Sequence, residues 1–420
     1  MEINKTIGIL NFHFGQNYGA VMVPWAMQYV LKNKFGKTSK VIDYTLPEQP
    51  LKKYHYDSFC KFRENFLDIT QTRFETTESL RRYIDAFHTI IVGSDQVFRT
   101  KPKDAYYLDW VYGDIRCIAY AASFGIAKYD GNIFDRYQAK KLLPRFDALS
   151  VRESSGVTIL RETFDVSGMQ VLDPTLLLDA EDYQSIIDSE PLTLPKNYIA
   201  VMFLDSEHWE ELKNSNIYKT LSQRYKFINI CKDENNDFRP VAHWLNFIKN
   251  AQYVITDSFH GSVFSIIFKK KFVTVATALR GNARIESLCR TLDIPLSRFY
   301  PSLIDISPTF FDENIDYDHI NKKIEDGRKI SLDFLETSLS CKAKVKDFIA
   351  ITRDKLVIPI LTVKHTQTHK SLMLFNILPI LSKKTGRNQL FFLKNIPIPL
   401  EQIKSQCKSM LKSLLTIKNK

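Results

Sequence analysis

The most suggestive chemistry in this sequence sits where an apolar run stops. Tyr253-Val254-Ile255-Thr256 reads as a strand, Asp257-Ser258-Phe259-His260-Gly261-Ser262 turns the chain, and the apolar run 263–268 reads as a buried helix. His260 would stand at a helix start beside free N–H groups, where an anion is welcome. A lone histidine in such a place also serves packing, so position alone leaves both roles open. In Leu149-Ser150-Val151-Arg152-Glu153, Arg152 ends a strand, and its planar fork suits a carboxylate or phosphate. The alternative is a surface pair with Glu153, worth little. Arg280, Asn282 and Arg284 add cationic and amide donors further on.

Three earlier turns have the same form. Gly93-Ser94-Asp95-Gln96 follows the strand-like Thr89-Ile90-Ile91-Val92. Asp95 there would take a proton from a hydroxyl or hold an acceptor sugar, with Ser94 and Gln96 beside it; a helix cap explains Ser94 and Asp95 as well. Asn17-Tyr18-Gly19-Ala20 lies between a strand and a helix, without the lysine of a phosphate-binding P-loop. Gly19 lets a ligand approach the backbone or meets the needs of the turn. Ser123 and Gly125, in Ala122-Ser123-Phe124-Gly125, would line the same crevice or pack tightly against it.

The elements that must position these turns alternate. Apolar strand-like runs occur at 6–12, 39–44, 88–93, 115–123, 147–152 and 169–172, with helical stretches at 20–35, 76–87 and 134–146. A second set has strands at 198–204, 226–231, 252–256 and 271–277 and helices at 206–222, 240–250, 260–269 and 282–292. The stretch 45–75 shows no clear period. The pattern predicts an α/β fold of two Rossmann-like, doubly wound domains facing a cleft, residues 1–175 and 176–315. A packing helix over 316–350 and a basic, apolar tail over 351–420 complete the chain.

Composition narrows the function. The net charge is +11, but residues 341–420 hold 16 Lys and Arg against three acidic residues, leaving the body nearly neutral. A basic core that grips nucleic acid is therefore not expected; a basic appendage is. Six scattered cysteines form no CxxC pair and no zinc spacing. No signal peptide and no bilayer-length apolar run are read, so a cytoplasmic protein is expected. Its tail would lie peripherally on the anionic inner face of the plasma membrane.

Taken in order, Asn17-Tyr18-Gly19-Ala20, Gly93-Ser94-Asp95-Gln96, Ala122-Ser123-Phe124-Gly125, Ser150-Val151-Arg152-Glu153, Leu172-Asp173-Pro174 and Thr256-Asp257-Ser258-Phe259-His260-Gly261 resemble the polysaccharide pyruvyl transferase family. The resemblance implies a GT-B-like architecture and transfer of a pyruvyl group from phosphoenolpyruvate to sugar hydroxyls of a surface polysaccharide or its lipid-linked precursor, as a ketal. It implies no metal and no cofactor. His260 would be the general acid and Asp95 the base. Arg152, Asn17, Gly19, Ser94, Gln96, Ser123, Asp257, Ser258, Arg280 and Arg284 would bind substrate. Some members of the family carry arginine two positions before the histidine; here Ser258 stands there, so Arg280 or Arg284 substitutes or the donor differs. Two other readings use the same segments: a glycosyltransferase taking a nucleotide sugar, and a non-catalytic membrane-peripheral subunit that binds polysaccharide.

Overall fold

The computed structural model describes residues 5–45, 58–99, 104–277, 281–304 and 306–347, with strands at 361–365, 369–374, 378–384 and 387–390. Strands β1 (Thr6–Leu10), β2 (Ser39–Val41), β3 (Phe87–Val92), β4 (Arg116–Ala122), β5 (Ala148–Val151) and β6 (Met169–Gln170) form a parallel sheet in the order β2-β1-β3-β4-β5-β6. Parallel neighbours require long crossovers. Helices α1 (Tyr18–Phe35), α2 (Ser58–Phe66), α3 (Thr77–Arg82), α4 (Ile133–Leu142) and α5 (Ser154–Phe164) lie along these.

The second sheet repeats the design. Strands β7 (Tyr198–Met202), β8 (Lys226–Asn229), β9 (Tyr253–Thr256), β10 (Lys271–Val275) and β11 (Phe299–Tyr300) are parallel, in the order β11-β10-β9-β7-β8. With them run α6 (Gln184–Ile187), α7 (Glu207–Asn214), α8 (Asn216–Leu221), α9 (Val241–Asn250), α10 (Phe259–Ile267) and α11 (Ala283–Thr291). All five residues of β7 are buried, which is why such strands read as unbroken apolar runs. Each sheet reverses its winding once, between β1 and β3 and between β7 and β9. The turns leaving those strands open onto the crevice where α/β sheets bind ligands.

One apolar core joins the two sheets. It runs from Ile9 and Val21 through Tyr183 to Trp244, Phe264 and Leu288. Helix α1 lies at its centre, with every residue from Tyr18 to Met27 buried. Asn17 caps its start by accepting from the Ala20 N–H at 3.3 Å, and Gly36, at φ +61°, ends it. The Tyr18 ring stacks on Trp244 at 4.8 Å, and its hydroxyl lies 2.8 Å from the Cys231 carbonyl, to which it donates.

The final long helix, α12 (Tyr317–Ser340), returns to the first sheet. Its Ser331 hydroxyl accepts from the Leu172 N–H at 2.9 Å, and Arg328 donates to the carbonyls of Leu176 and Leu178. Beyond it, Arg116 donates to the Cys341 carbonyl and Lys346 pairs with Asp147 at 2.8 Å. The expected helix over 316–350 therefore stops at Ser340.

Two further elements differ from expectation. The helix expected at 206–222 is two helices, because Ser215 leaves the helical conformation and caps α8 through the Tyr218 N–H. Of the unplaced stretch 45–75, α2 is described and residues 46–57 lie outside the described residues.

Residues 350–420 make a unit of their own. Where a tail was read, β12 (Leu361–His365), β13 (His369–Leu374), β14 (Leu378–Lys384) and β15 (Arg387–Leu390) form an antiparallel meander. Among the described residues, no helix is long and apolar enough to cross a membrane.

Candidate active site

The turns after β3, β5 and β9 converge on Asp173. Its Oδ2 accepts from the Ser94 hydroxyl at 2.7 Å and from Nη1 of Arg152 at 3.0 Å, and Nε2 of His260 lies 3.6 Å away. Its Oδ1 accepts from the Thr175 N–H and hydroxyl. The Arg152 and Asp173 side chains are each only 1% exposed. Burial alone would raise the Asp173 carboxyl, but the neighbouring His260, with Arg152 and Ser94, outweighs it and holds the group well below the usual carboxylate range. Asp173 is therefore ionised at any working pH.

His260 is the second residue of α10, a helix whose nine residues are all buried. The helix starts where it does because Ser258 caps it, accepting from the Gly261 N–H at 3.3 Å. The imidazole rests against Gly19 so closely that a β-carbon there would overlap Nδ1. Gly19 is thus required by the approach of a histidine from the second sheet. The Asn17-Tyr18-Gly19 turn and the His260 turn form one surface, Gly19 and His260 being 241 residues apart in sequence.

Asp95 is a backbone outlier. Its φ is +114°, a region that side chains other than glycine's adopt only under strain. The carbonyl of Asp95 accepts from Ser123 N–H at 2.9 Å, which fixes the strained residue to the end of β4. The carboxylate, 18% exposed, accepts from the Gln96 N–H at 2.8 Å and faces Nη2 of Arg152 at 3.3 Å. Gln96 packs against Gly125, where a β-carbon would strike its amide.

A second guanidinium joins the first. Arg152 lies 4.2 Å from the centroid of the Phe259 ring, and Arg284 lies 5.9 Å from the same centroid. Burial, and then repulsion from Arg152, lower the Arg284 guanidinium to about 10, so it keeps its charge at neutral pH. Arg284 therefore brings positive charge to the cluster, as expected of it where Ser258 cannot. Arg280, the other substitute, lies outside the described residues.

Two expected site residues face elsewhere. The Ser123 hydroxyl donates to Oε1 of Glu153 at 3.0 Å, and the same oxygen accepts from the N–H groups of Phe124 and Gly125. Glu153 is fully buried and organises this loop; it is no surface partner of Arg152. Asp257 turns to the loop after β7, accepting from the N–H groups of Leu204 and Asp205 and facing Nδ1 of His208 at 2.9 Å. Burial raises its carboxyl, with those donors pulling the other way. Asp205, His208 and Asp257 bring ligand atoms within 4.8 Å of one another, close enough for a cation. The four contacts already made by the Asp257 oxygens account for the group as a loop clasp.

Sequence reasoning passed over Asp173 and Glu153. Asp173 occurs in the Leu172-Asp173-Pro174 segment, which carried the family resemblance but was given no role in the site. Asn11 and His13, buried at the end of β1, were also missed; the Asn11 amide donates to the Ser94 carbonyl at 2.6 Å and so steadies the Asp95 turn.

The family model for polysaccharide pyruvyl transferase matches residues 17–278, more than half of the chain, and spans each of these turns. The chain belongs to this family. Among curated protein sequences, none matches it. Of solved structures, a protein assigned as UDP-N-acetylglucosamine 2-epimerase from Listeria monocytogenes is similar at 11% identity over 82% of this chain and 100% of its own, with a TM-score of 0.50. The UDP-GlcNAc 2-epimerase of Neisseria meningitidis is similar at 11% identity over 79% and 100%, with a TM-score of 0.47. The first likeness shows the fold: the two-sheet GT-B architecture. Membership in the pyruvyl transferase family makes transferase chemistry on polysaccharide the setting for the Asp173 cluster.

Proposed function

We propose that this protein transfers a pyruvyl group from phosphoenolpyruvate to two hydroxyls of a sugar in a surface polysaccharide or its lipid-linked precursor, closing a ketal. The observation that carries the reading is the meeting of His260 and Arg152 on one oxygen of Asp173, at the crevice ends of both sheets. Phosphoenolpyruvate needs cations for its carboxylate and phosphate and an acid for its C3. Arg284 and the start of α10 supply positive potential. Arg152, already engaged by Asp95, Ser94 and Asp173, sets the shape of the cluster.

In the first step, His260 gives a proton to C3 and C2 becomes electrophilic. A sugar hydroxyl attacks C2 and passes its proton to Asp95, which is partly exposed and held in strain for the purpose. The C2–O bond to phosphate breaks, and the second hydroxyl closes the ring. Of the two hydroxyl protons, one makes good the proton now in the methyl group and the other leaves on phosphate. Asp173 stands 3.6 Å from Nε2 and helps to place the imidazole beside the substrate.

The test is incubation with phosphoenolpyruvate and a panel of glycans. Phosphate and pyruvylated glycan should form in equal amounts, and His260→Ala should abolish both. Absence of phosphate release with every glycan, together with thermal stabilisation by UDP instead of phosphoenolpyruvate, would transfer the site to the nucleotide-sugar reading.

A further inference from the structure

Beside the Asp173 cluster lies a hollow of about 520 Å³, within the usual range for small-molecule sites. One wall is the turn before α1, with Asn17; the other is made by the loops after β7 and β8, with Phe203, Trp209, Asn229, Lys232 and Phe238. We infer that this hollow seats a pyranose ring of the acceptor. The word acceptor rests on the pyruvyl-transfer reading; the sugar specificity is argued from the lining.

The aromatic groups come first. Phe203 and Trp209 meet edge to face at 5.3 Å, and the Phe238 ring carries the Lys232 ammonium 5.0 Å from its centroid. Pyranoses present C–H faces that stack on such rings, and indole is the largest of them. Trp25, Trp110 and Trp244 are buried, whereas Trp209 is partly exposed. Among the described residues, the Trp209 indole N–H has no protein partner, which leaves it free to donate to a bound hydroxyl.

The polar groups suit hydroxyls. The Asn17 amide oxygen is occupied by the Ala20 N–H, and its NH₂ has no partner among the described residues. The Lys232 ammonium donates to the Asn236 side chain at 3.0 Å and keeps further protons to give. Asn229 is fixed by the N–H groups of Cys231 and Lys232. Donors thus predominate, around a single cation. A diphosphate would call for more positive charge, and a ribose diol for a carboxylate that this lining lacks.

Position connects the hollow to the chemistry. Asn17 lines it and Gly19 touches His260, two Cα steps apart, at most about 7.6 Å. A ring held between Asn17 and Trp209 would present its hydroxyl edge towards the imidazole.

The experiment uses the full chain and its tryptophan emission, titrated with methyl β-D-galactopyranoside, methyl β-D-glucopyranoside, N-acetylmannosamine, UDP and phosphoenolpyruvate. At least one pyranoside should shift the emission saturably. Trp209→Phe should remove that signal with an unchanged thermal midpoint, and Trp209→Ala should weaken binding by about tenfold in calorimetry, the share of one stacked ring. Stabilisation by phosphoenolpyruvate should match the wild type in both variants. The proposal is overturned if no pyranoside binds, if pyranoside affinity is unchanged in Trp209→Ala, or if UDP alone saturates the signal. Pyranoside binding without any response to phosphoenolpyruvate supports the sugar seat and sinks the donor assignment, so the two failures are distinct.

Discussion

His260, carried by the second sheet, and Arg152, carried by the first, are held to a single oxygen of Asp173, at 3.6 and 3.0 Å. Neither sheet alone contains this arrangement. The buried carboxylate compensates the buried Arg152 guanidinium and stands beside the imidazole from the other sheet.

Asp173→Asn should therefore be costly. Removing one partner of a buried ion pair leaves the other uncompensated, typically at about 3–5 kcal/mol. Urea unfolding should show a loss in that range. Phosphate release should fall by at least about 100-fold, since a general acid alone contributes that much and His260 loses its neighbour.

The same carboxyl predicts a pH dependence. Its folded-state value is held below that of the unfolded chain, so its contribution to stability is complete above about pH 4 and is lost as pH falls further. From about pH 5 downwards the stability gap between wild type and Asp173→Asn should shrink, most steeply below 4. Unfolding midpoints across that range check it; a gap that widens in acid would contradict the assignment.

Gly19→Ala tests the approach of the imidazole. A β-carbon would overlap Nδ1 of His260, so either the ring or α1 must move. Activity should drop by about 100-fold, as misplacing a catalytic group can. The imidazole proton resonances in NMR should shift.

Strain at Asp95 separates two substitutions. Asp95→Asn and Asp95→Gly both delete the proposed base and the charge facing Arg152. Only glycine accepts φ +114° without strain, so Asp95→Gly should be more stable than Asp95→Asn by about 1–2 kcal/mol. Both should be inactive. Equal stabilities would mean that the backbone conformation is not strained.

Much of this was legible in the sequence. Short apolar runs ending in polar turns marked β1, β3, β5 and β9, because parallel strands bury both faces and place their carboxyl ends at the crevice. His260, Arg152, Asp95 and Ser94, which the structure brings together, were singled out by that position. Asp173 was not, because its role depends on partners 21 and 87 residues away, and spacing along a chain does not reveal which turns meet. Asp257 turns away from the cluster for the mirror reason. It ends β9 much as Asp95 follows β3, but the N–H groups of Leu204 and Asp205 draw it to the loop after β7. In the terminal unit, prolines and scattered lysines hid an antiparallel meander whose strands are too short to show a clear alternation.

The clasp of Tyr18 on Cys231 and Trp244 constrains how this molecule could be dissected. With α12 also recrossing to the first sheet, a cut near residue 180 would strip each fragment of contacts made by the other. Neither fragment should behave as an interchangeable cassette. Swapping half of this chain for that of a cousin with another sugar preference would have to carry along both the α1 turn and its terminal helix.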